Sequence, residues 1–232
     1  MRLYIIRHGE PDYATDSLTE PGRREAAALA NWLTAEKIDM IYSSPLGRAR
    51  QTAEIATKSI GKSFAIEPWT RELDYFRIEN TDLAAWNIPG ENVRHDAYRK
   101  NPANWESISV VDTAKMRGEY GRVAAASDEF LTRHGYQRNP AGYYDVKDRN
   151  KNRIAVICHG GFGVTWLAHL LDIPLPLMWA GFLMQTTGIT TVLMQEITPG
   201  IASPRCLQFG ALPHLHSAHL PASSAGFVSD PN

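Results

Sequence analysis

The residues best equipped for chemistry stand at the ends of two short apolar runs. Leu3, Tyr4, Ile5 and Ile6 lead into Arg7, His8, Gly9 and Glu10, so a buried strand ends on a cation, a base and a turn. Ile154, Ala155, Val156 and Ile157 lead into Cys158, His159, Gly160 and Gly161 in the same way. In open α/β sheets ligands bind outside the carboxyl ends of the strands. If the two runs are parallel neighbours, His8 and His159 face each other at that edge. The glycine after each histidine allows close approach of backbone and ligand.

The elements between these runs follow a βα rhythm. Thr19 is a good N-cap and Pro21 suits a first helical turn, and Ala26, Leu29, Ala30 and Leu33 share one face of the helix that follows. A strand over 40–43 runs into Ser44-Pro45, read as the cap of a second helix whose Ala49, Thr52, Ala53 and Ala56 make a small-residue face. A third strand covers 64–66. From Trp69 to Asn150 the rhythm breaks, with Pro89, Pro102 and scattered aromatics. The segment of about 73–150 reads as an inserted lid or subdomain closing with a helix near 122–134. The turn-rich stretch over 139–152 reads as a surface loop. Beyond His159 come a helix over 162–171, stopped by Asp172-Ile173-Pro174, and strands over 189–194 and 205–209. The tail, about 211–232, is rich in Pro, Ser, Ala and His and reads as irregular. The whole is expected to be one domain (1–232) of the α/β class, three layers deep, with a doubly wound, mostly parallel sheet. Antiparallel strands are expected toward its ends.

Three blocks, Arg7-His8-Gly9-Glu10, Ser43-Ser44-Pro45-Leu46-Gly47-Arg48-Ala49 and the late His159-Gly160-Gly161, together resemble the phosphoglycerate mutase-like branch of the histidine phosphatase superfamily. The resemblance implies a phosphohistidine intermediate on His8. It implies that Arg48, rather than Arg50, binds phosphate beside Arg7, because Arg48 falls on the family's arginine. A guanidinium fork matches two phosphate oxygens at once. His159 is expected to donate to a phosphate oxygen and the Gly160 amide, near a helix N-terminus, to add another donor. The block Trp69-Thr70-Arg71-Glu72-Leu73-Asp74 resembles the one that carries the family's acid and selects Glu72 as proton donor, with Asp74 the alternative. The sequence departs from the family after the first of these blocks and after the one that carries the acid. The family's phosphate-binding asparagine has no counterpart beyond Glu10, where Ser17 is the nearest substitute, and the glycines usual after the acid are missing.

Phosphoryl transfer needs an in-line nucleophile, cations around the equatorial oxygens and a proton for the leaving oxygen. A neutral imidazole supplies the first, and neighbouring cations lower its pKa. The arginines and His159 supply the charge a metal would otherwise bring, so no metal and no cofactor are expected. The partner is then a small phosphorylated substrate. A formal net charge of −1 gives no reason to expect nucleic acid or an anionic membrane, and no apolar run approaches the roughly 20 residues of a membrane span. Two cysteines and no leader-like start suit a cytoplasmic protein. Cys158 reads as a packed thiol rather than a nucleophile. His214, His216 and His219 could share a metal but sit among prolines and serines without carboxylates, and read as a packed or flexible terminus. Trp69, Trp86 and Trp105 suit either a cleft or a core. An oligomer is possible and not legible in the chain. Phosphatase is the leading reading, with a mutase and an inactive phosphate-binding scaffold as alternatives. Loss of an essential group would mark the scaffold, yet Arg7, His8, Arg48 and His159 are all present.

Overall fold

Strand β1 (Arg2–Arg7) is buried from Leu3 onward because its side chains serve two cores at once. Leu3 and Ile5 enter one apolar cluster, Tyr4 and Ile6 the other, so successive residues point to opposite faces of the sheet. Each fully buried leucine or isoleucine contributes roughly 1.5–3 kcal/mol. The computed structural model describes residues 1–74, 76–95, 98, 101 and 103–228.

A small hairpin, β2 (Pro11–Asp12) with β3 (Ser17–Leu18), leads to helix α1 (Glu20–Ala35), which Thr19 caps through its side chain to the Gly22 amide. Strand β4 (Met40–Ser43), helix α2 (Gly47–Lys58) and strand β5 (Ala65–Ile66) complete the first half. Helices α1 and α2 cover the face of Tyr4 and Ile6, where Leu29, Leu33, Ala49, Ala53 and Ala56 pack. Among the described residues, the segment after Thr70 has short turns and a helical turn, α3 (Gly90–Val93), and its Phe76, Ile78, Ile88 and Trp105 join the opposite core. Tyr75 and Pro102 lie outside the described residues.

Helix α4 (Thr113–Arg133) begins well before the expected 122. Asp112 caps it by accepting from the Lys115 amide, and Met116 and Val123 keep its buried face going across the buried Glu119, whose charge hides the period. The stretch expected to be a loop over 139–152 is partly sheet. Strand β6 (Tyr136–Arg138) pairs antiparallel with β7 (Tyr144–Val146), and Tyr144 is wholly buried with its hydroxyl accepting from Arg138. Strand β8 (Arg153–Cys158) leads into helix α5 (Gly160–Leu171), then helix α6 (Leu175–Gly181). Strands β9 (Ile189–Thr198) and β10 (Ile201–Ala211) form a long antiparallel pair. The expected irregular tail starts with a helical turn, α7 (Pro213–Ser217), and then runs back toward the end of β1; residues 229–232 lie outside the described residues.

The described strands form an eight-stranded sheet in the order β5-β4-β8-β1-β9-β10-β7-β6. It is parallel from β5 to β1 and antiparallel from β1 to β6. Helices on both faces make three layers. In register, Arg7 pairs with Cys158 and Ser43 with Ile157, so β1, β8 and β4 end level. The residues just past those ends are His8, His159 and Ser44. Among the described residues, no helix is long and apolar enough to cross a membrane.

Candidate active site

The level strand ends bring His8 and His159 to a ring-centroid separation of 5.1 Å, both essentially buried. Backbone pairing fixes them there: the His8 amide donates to Cys158 O at 2.9 Å, and the Ser44 amide to Ile157 O at 2.9 Å.

Hydrogen bonds assign the two tautomers. His8 Nδ1 lies 2.7 Å from Gly9 O, a pure acceptor, so Nδ1 carries the proton and Nε2 the lone pair. Arg48 Nε donates to that Nε2 at 3.1 Å. On His159, Nε2 lies 2.7 Å from Ser44 Oγ, and Ser44 Oγ already accepts from the Leu46 amide at 3.3 Å. His159 Nε2 is the one acceptor within reach of the Ser44 hydroxyl proton among the described residues, which assigns the hydroxyl as donor and leaves the imidazole proton on Nδ1. Ser44 thus orients an imidazole rather than capping α2, whose N-cap is Leu46 and has no side-chain cap bond.

Burial, then Arg7 and Arg48, hold the His8 pKa well below its ordinary 6.5. Burial is the larger cause, where sequence reasoning named the cations alone. His159 is lowered likewise by burial, then by His8, Arg48 and Arg7. Both rings are neutral at physiological pH.

Arg7 Nη1 donates to Met184 O at 2.6 Å, while its Nε is buried with no hydrogen-bond partner. His159 Nδ1 is also buried and unpartnered. A buried N–H without an acceptor costs free energy, roughly 1–3 kcal/mol. Two such donors at one strand edge mark a place for an anion. Gly160 lies against Arg7, where a Cβ would stand 3.5 Å from Nε. Arg48 sits at the start of α2, and Asp16 holds it by accepting from Nη1 at 2.5 Å and from the Gly47 amide at 2.6 Å.

Glu72 closes the site from the far side. Its Oε1 accepts from the Leu73 amide at 3.0 Å and the Phe162 amide at 2.6 Å, and its Oε2 from the Gly161 amide at 3.2 Å. Burial raises its pKa against these bonds and the Arg48 charge, which lower it. Oε2, with the single and longer bond, is the oxygen with room for a proton. Gly161 has to be glycine, because a Cβ would stand 2.8 Å from the Trp86 ring and 3.0 Å from Glu72 Oε1.

Arg7, His8, Arg48, Glu72 and Gly160 line one cavity of about 630 Å³, with His159 behind the His8 ring. Other expected residues lie elsewhere. Ser17 bonds Thr15 at the surface, and Asp74 is paired with Arg71 and exposed. Cys158 is buried beneath the site with its thiol pKa pushed up by burial. Trp86 lines the cavity, whereas Trp69 packs on Trp166 and Phe162, and Trp105 on Tyr120. His214 is buried and His216 and His219 are exposed, and among the described residues no group of His, Cys, Asp or Glu side chains is placed to hold a metal. Sequence reasoning missed Asp16, Ser44's partner and the tail. The tail returns over the site, where Ser223 Oγ donates to Glu10 Oε2 at 2.5 Å and Gly226, Phe227 and Val228 line the cavity.

The fold and this geometry define a doubly wound α/β protein with an anion cradle at the carboxyl edge of its sheet. The chain belongs to the histidine phosphatase superfamily (branch 1), whose family model matches residues 3–205. It is similar to "Putative phosphoserine phosphatase 2" of Hydrogenobacter thermophilus, at 25% identity over 84% of this chain and 90% of that protein. It is also similar to a "Probable phosphoglycerate mutase" of Photorhabdus laumondii, at 36% identity over 92 residues, 36% of this chain and only 43% of that protein. Among solved structures, a phosphoserine phosphatase from Entamoeba histolytica in complex with 3-phosphoglyceric acid shares the fold. It has a TM-score of 0.61 and 23% identity, over 92% of this chain and 98% of that one.

Proposed function

We propose that this protein is a metal-independent phosphatase that hydrolyses a small phosphomonoester through a phosphohistidine on His8. The observation that carries the reading is the pair of buried, unpartnered donors, Arg7 Nε and His159 Nδ1, beside an imidazole whose Nε2 keeps its lone pair. A bound phosphoryl group satisfies both donors. Arg48 swings its fork from His8 Nε2 onto the phosphate, freeing the nucleophile.

His8 Nε2 then attacks phosphorus, the bond to the leaving oxygen breaks, and Glu72 passes its proton to that oxygen. Nδ1–H, held by Gly9 O, stabilises the imidazole as it acquires positive charge. In the second step the Glu72 carboxylate takes a proton from water, the water oxygen attacks phosphorus, and the N–P bond breaks. Inorganic phosphate leaves and His8 is neutral again. Arg7, Arg48, His159 and the Gly160 amide hold the equatorial oxygens throughout.

Membership of the superfamily and the phosphatase names among its relatives support hydrolysis. The mutase names support a second reading, in which the phosphoryl group returns to another hydroxyl of the bound product. The single domain with its 73–150 insertion, and a cytoplasmic setting, belong to the same proposal. The test is a phosphomonoester panel in chelator-treated buffer, scored for free phosphate and for isomerised product. Phosphate release without added metal supports the reading. Isomerisation of 3-phosphoglycerate without phosphate release replaces it with the mutase.

A further inference from the structure

Beyond the phosphate cradle, the cavity is walled by three separate parts of the chain. Leu83 and Trp86 stand on the inserted segment, Phe182 and Leu183 follow α6, and Phe227 and Val228 come from the tail. Among the described residues that line it, the cations are Arg7 and Arg48, and both lie at the phosphate end. The carboxylates there are Glu72, inside, and Asp82, at the rim and ion-paired with Arg77. Phe182, Leu183 and Val228 are 41%, 39% and 54% exposed, which leaves large apolar surface at the mouth for a ligand to cover.

A leaving group carrying a carboxylate would lose its hydration there and find no cation to replace it. At the rim it would also meet the carboxylate of Asp82. An apolar or aromatic group would instead displace water from a wall already built to receive it. We propose that the preferred substrates are phosphomonoesters of apolar, uncharged alcohols, an aromatic one above all. The inserted segment, the stretch after α6 and the tail then set specificity together. This inference rests on the phosphatase reading of the same site.

The experiment compares kcat/KM for benzyl phosphate, phosphoserine and 3-phosphoglycerate. All three release alkoxides, so activation of the leaving group does not favour the benzyl ester. The expected preference for benzyl phosphate is about tenfold or more, the scale of burying part of one ring. A Leu183→Arg variant, at a partly exposed position, should shift the benzyl-to-phosphoglycerate ratio about tenfold toward the acid, while competitive inhibition by inorganic phosphate persists and changes far less than the ratio. Equal or better turnover of the two carboxylate substrates by the native protein overturns the inference and leaves the phosphatase standing. An unshifted ratio in Leu183→Arg, with phosphate inhibition intact, also overturns it. No turnover of any ester and no inhibition by phosphate overturns the phosphatase reading and this inference with it.

Discussion

Replacing Ser44 by alanine should disable His159 without touching any group that meets the substrate. Ser44 is fully buried, and its hydroxyl donates 2.7 Å to His159 Nε2. That bond keeps the His159 proton on Nδ1, the nitrogen left without a partner. In Ser44→Ala the ring is free to carry its proton on Nε2, which turns a lone pair toward the phosphate. What is lost is up to one hydrogen bond to a charged group, roughly 1.5–3 kcal/mol. In kcat/KM this is a drop of about 10- to 150-fold. Removing one hydroxyl leaves the core volume nearly unchanged, so stability against urea should fall by about 1 kcal/mol, the scale of one buried hydrogen bond. Ser44→Thr keeps the hydroxyl and should recover most of the activity. The decisive assay is a double-mutant cycle with His159→Ala: the double variant should be no worse than His159→Ala alone, because Ser44 acts only through that ring. Additive losses, or native activity in Ser44→Ala, would refute the argument.

Glu72→Gln should slow benzyl phosphate by about 10²-fold or more and an activated aryl phosphate far less, since only the poor leaving group needs the proton. The pH profile checks the same pair: the rate falls as pH drops through the lowered His8 pKa, below 6.5, and as pH rises through the raised Glu72 pKa, above 4.5. Only the alkaline limb should vanish in Glu72→Gln, and its persistence would remove Glu72 as the acid. Gly226 has a φ of +97°, and a Cβ there would stand 2.8 Å from Arg7 Nη2. Arg7 is anchored on Met184 O, so Gly226→Ala should dislodge the tail, raising KM for benzyl phosphate about threefold with phosphate inhibition unaltered. An unchanged KM would take the tail out of the binding site. His214 is buried with both ring nitrogens unpartnered, and burial lowers its pKa to about 4. The unfolded chain therefore binds the extra proton first, and stability is lost as pH falls below 6.5, by about 2 kcal/mol between pH 7 and pH 5. Urea titrations of His214→Phe should lose correspondingly less over that range, and an equal loss would assign the acid sensitivity to other groups.

Strands β1 and β8 were legible because they are buried on both faces and so read as unbroken apolar runs, which also located both histidines. Register then did what spacing alone does not show, ending β1, β8 and β4 at one level. Helix α4 was read short because Glu119, buried against Arg122, interrupts the apolar period. Strand β7 was hidden by the turn formers on either side of Tyr144. Within the site, the structure gathers Arg7, His8, Arg48, Glu72 and Gly160 around one cavity, with the His159 ring against that of His8. Asp16 lies in a hairpin with no periodicity, and Ser44 resembles an ordinary helix cap. The apolar wall draws on segments near residues 83, 183 and 227, whose meeting depends wholly on tertiary packing.

In the proposed reaction His8 Nε2 carries the phosphoryl group between the two steps. Rapid quench during turnover of benzyl phosphate, followed by intact mass and peptide mapping, tests it directly. One added phosphoryl group is expected on His8, labile in acid and stable in base, and none in His8→Ala, which should also be inactive. Full turnover by His8→Ala, or a phosphoryl group on any other residue, would contradict it.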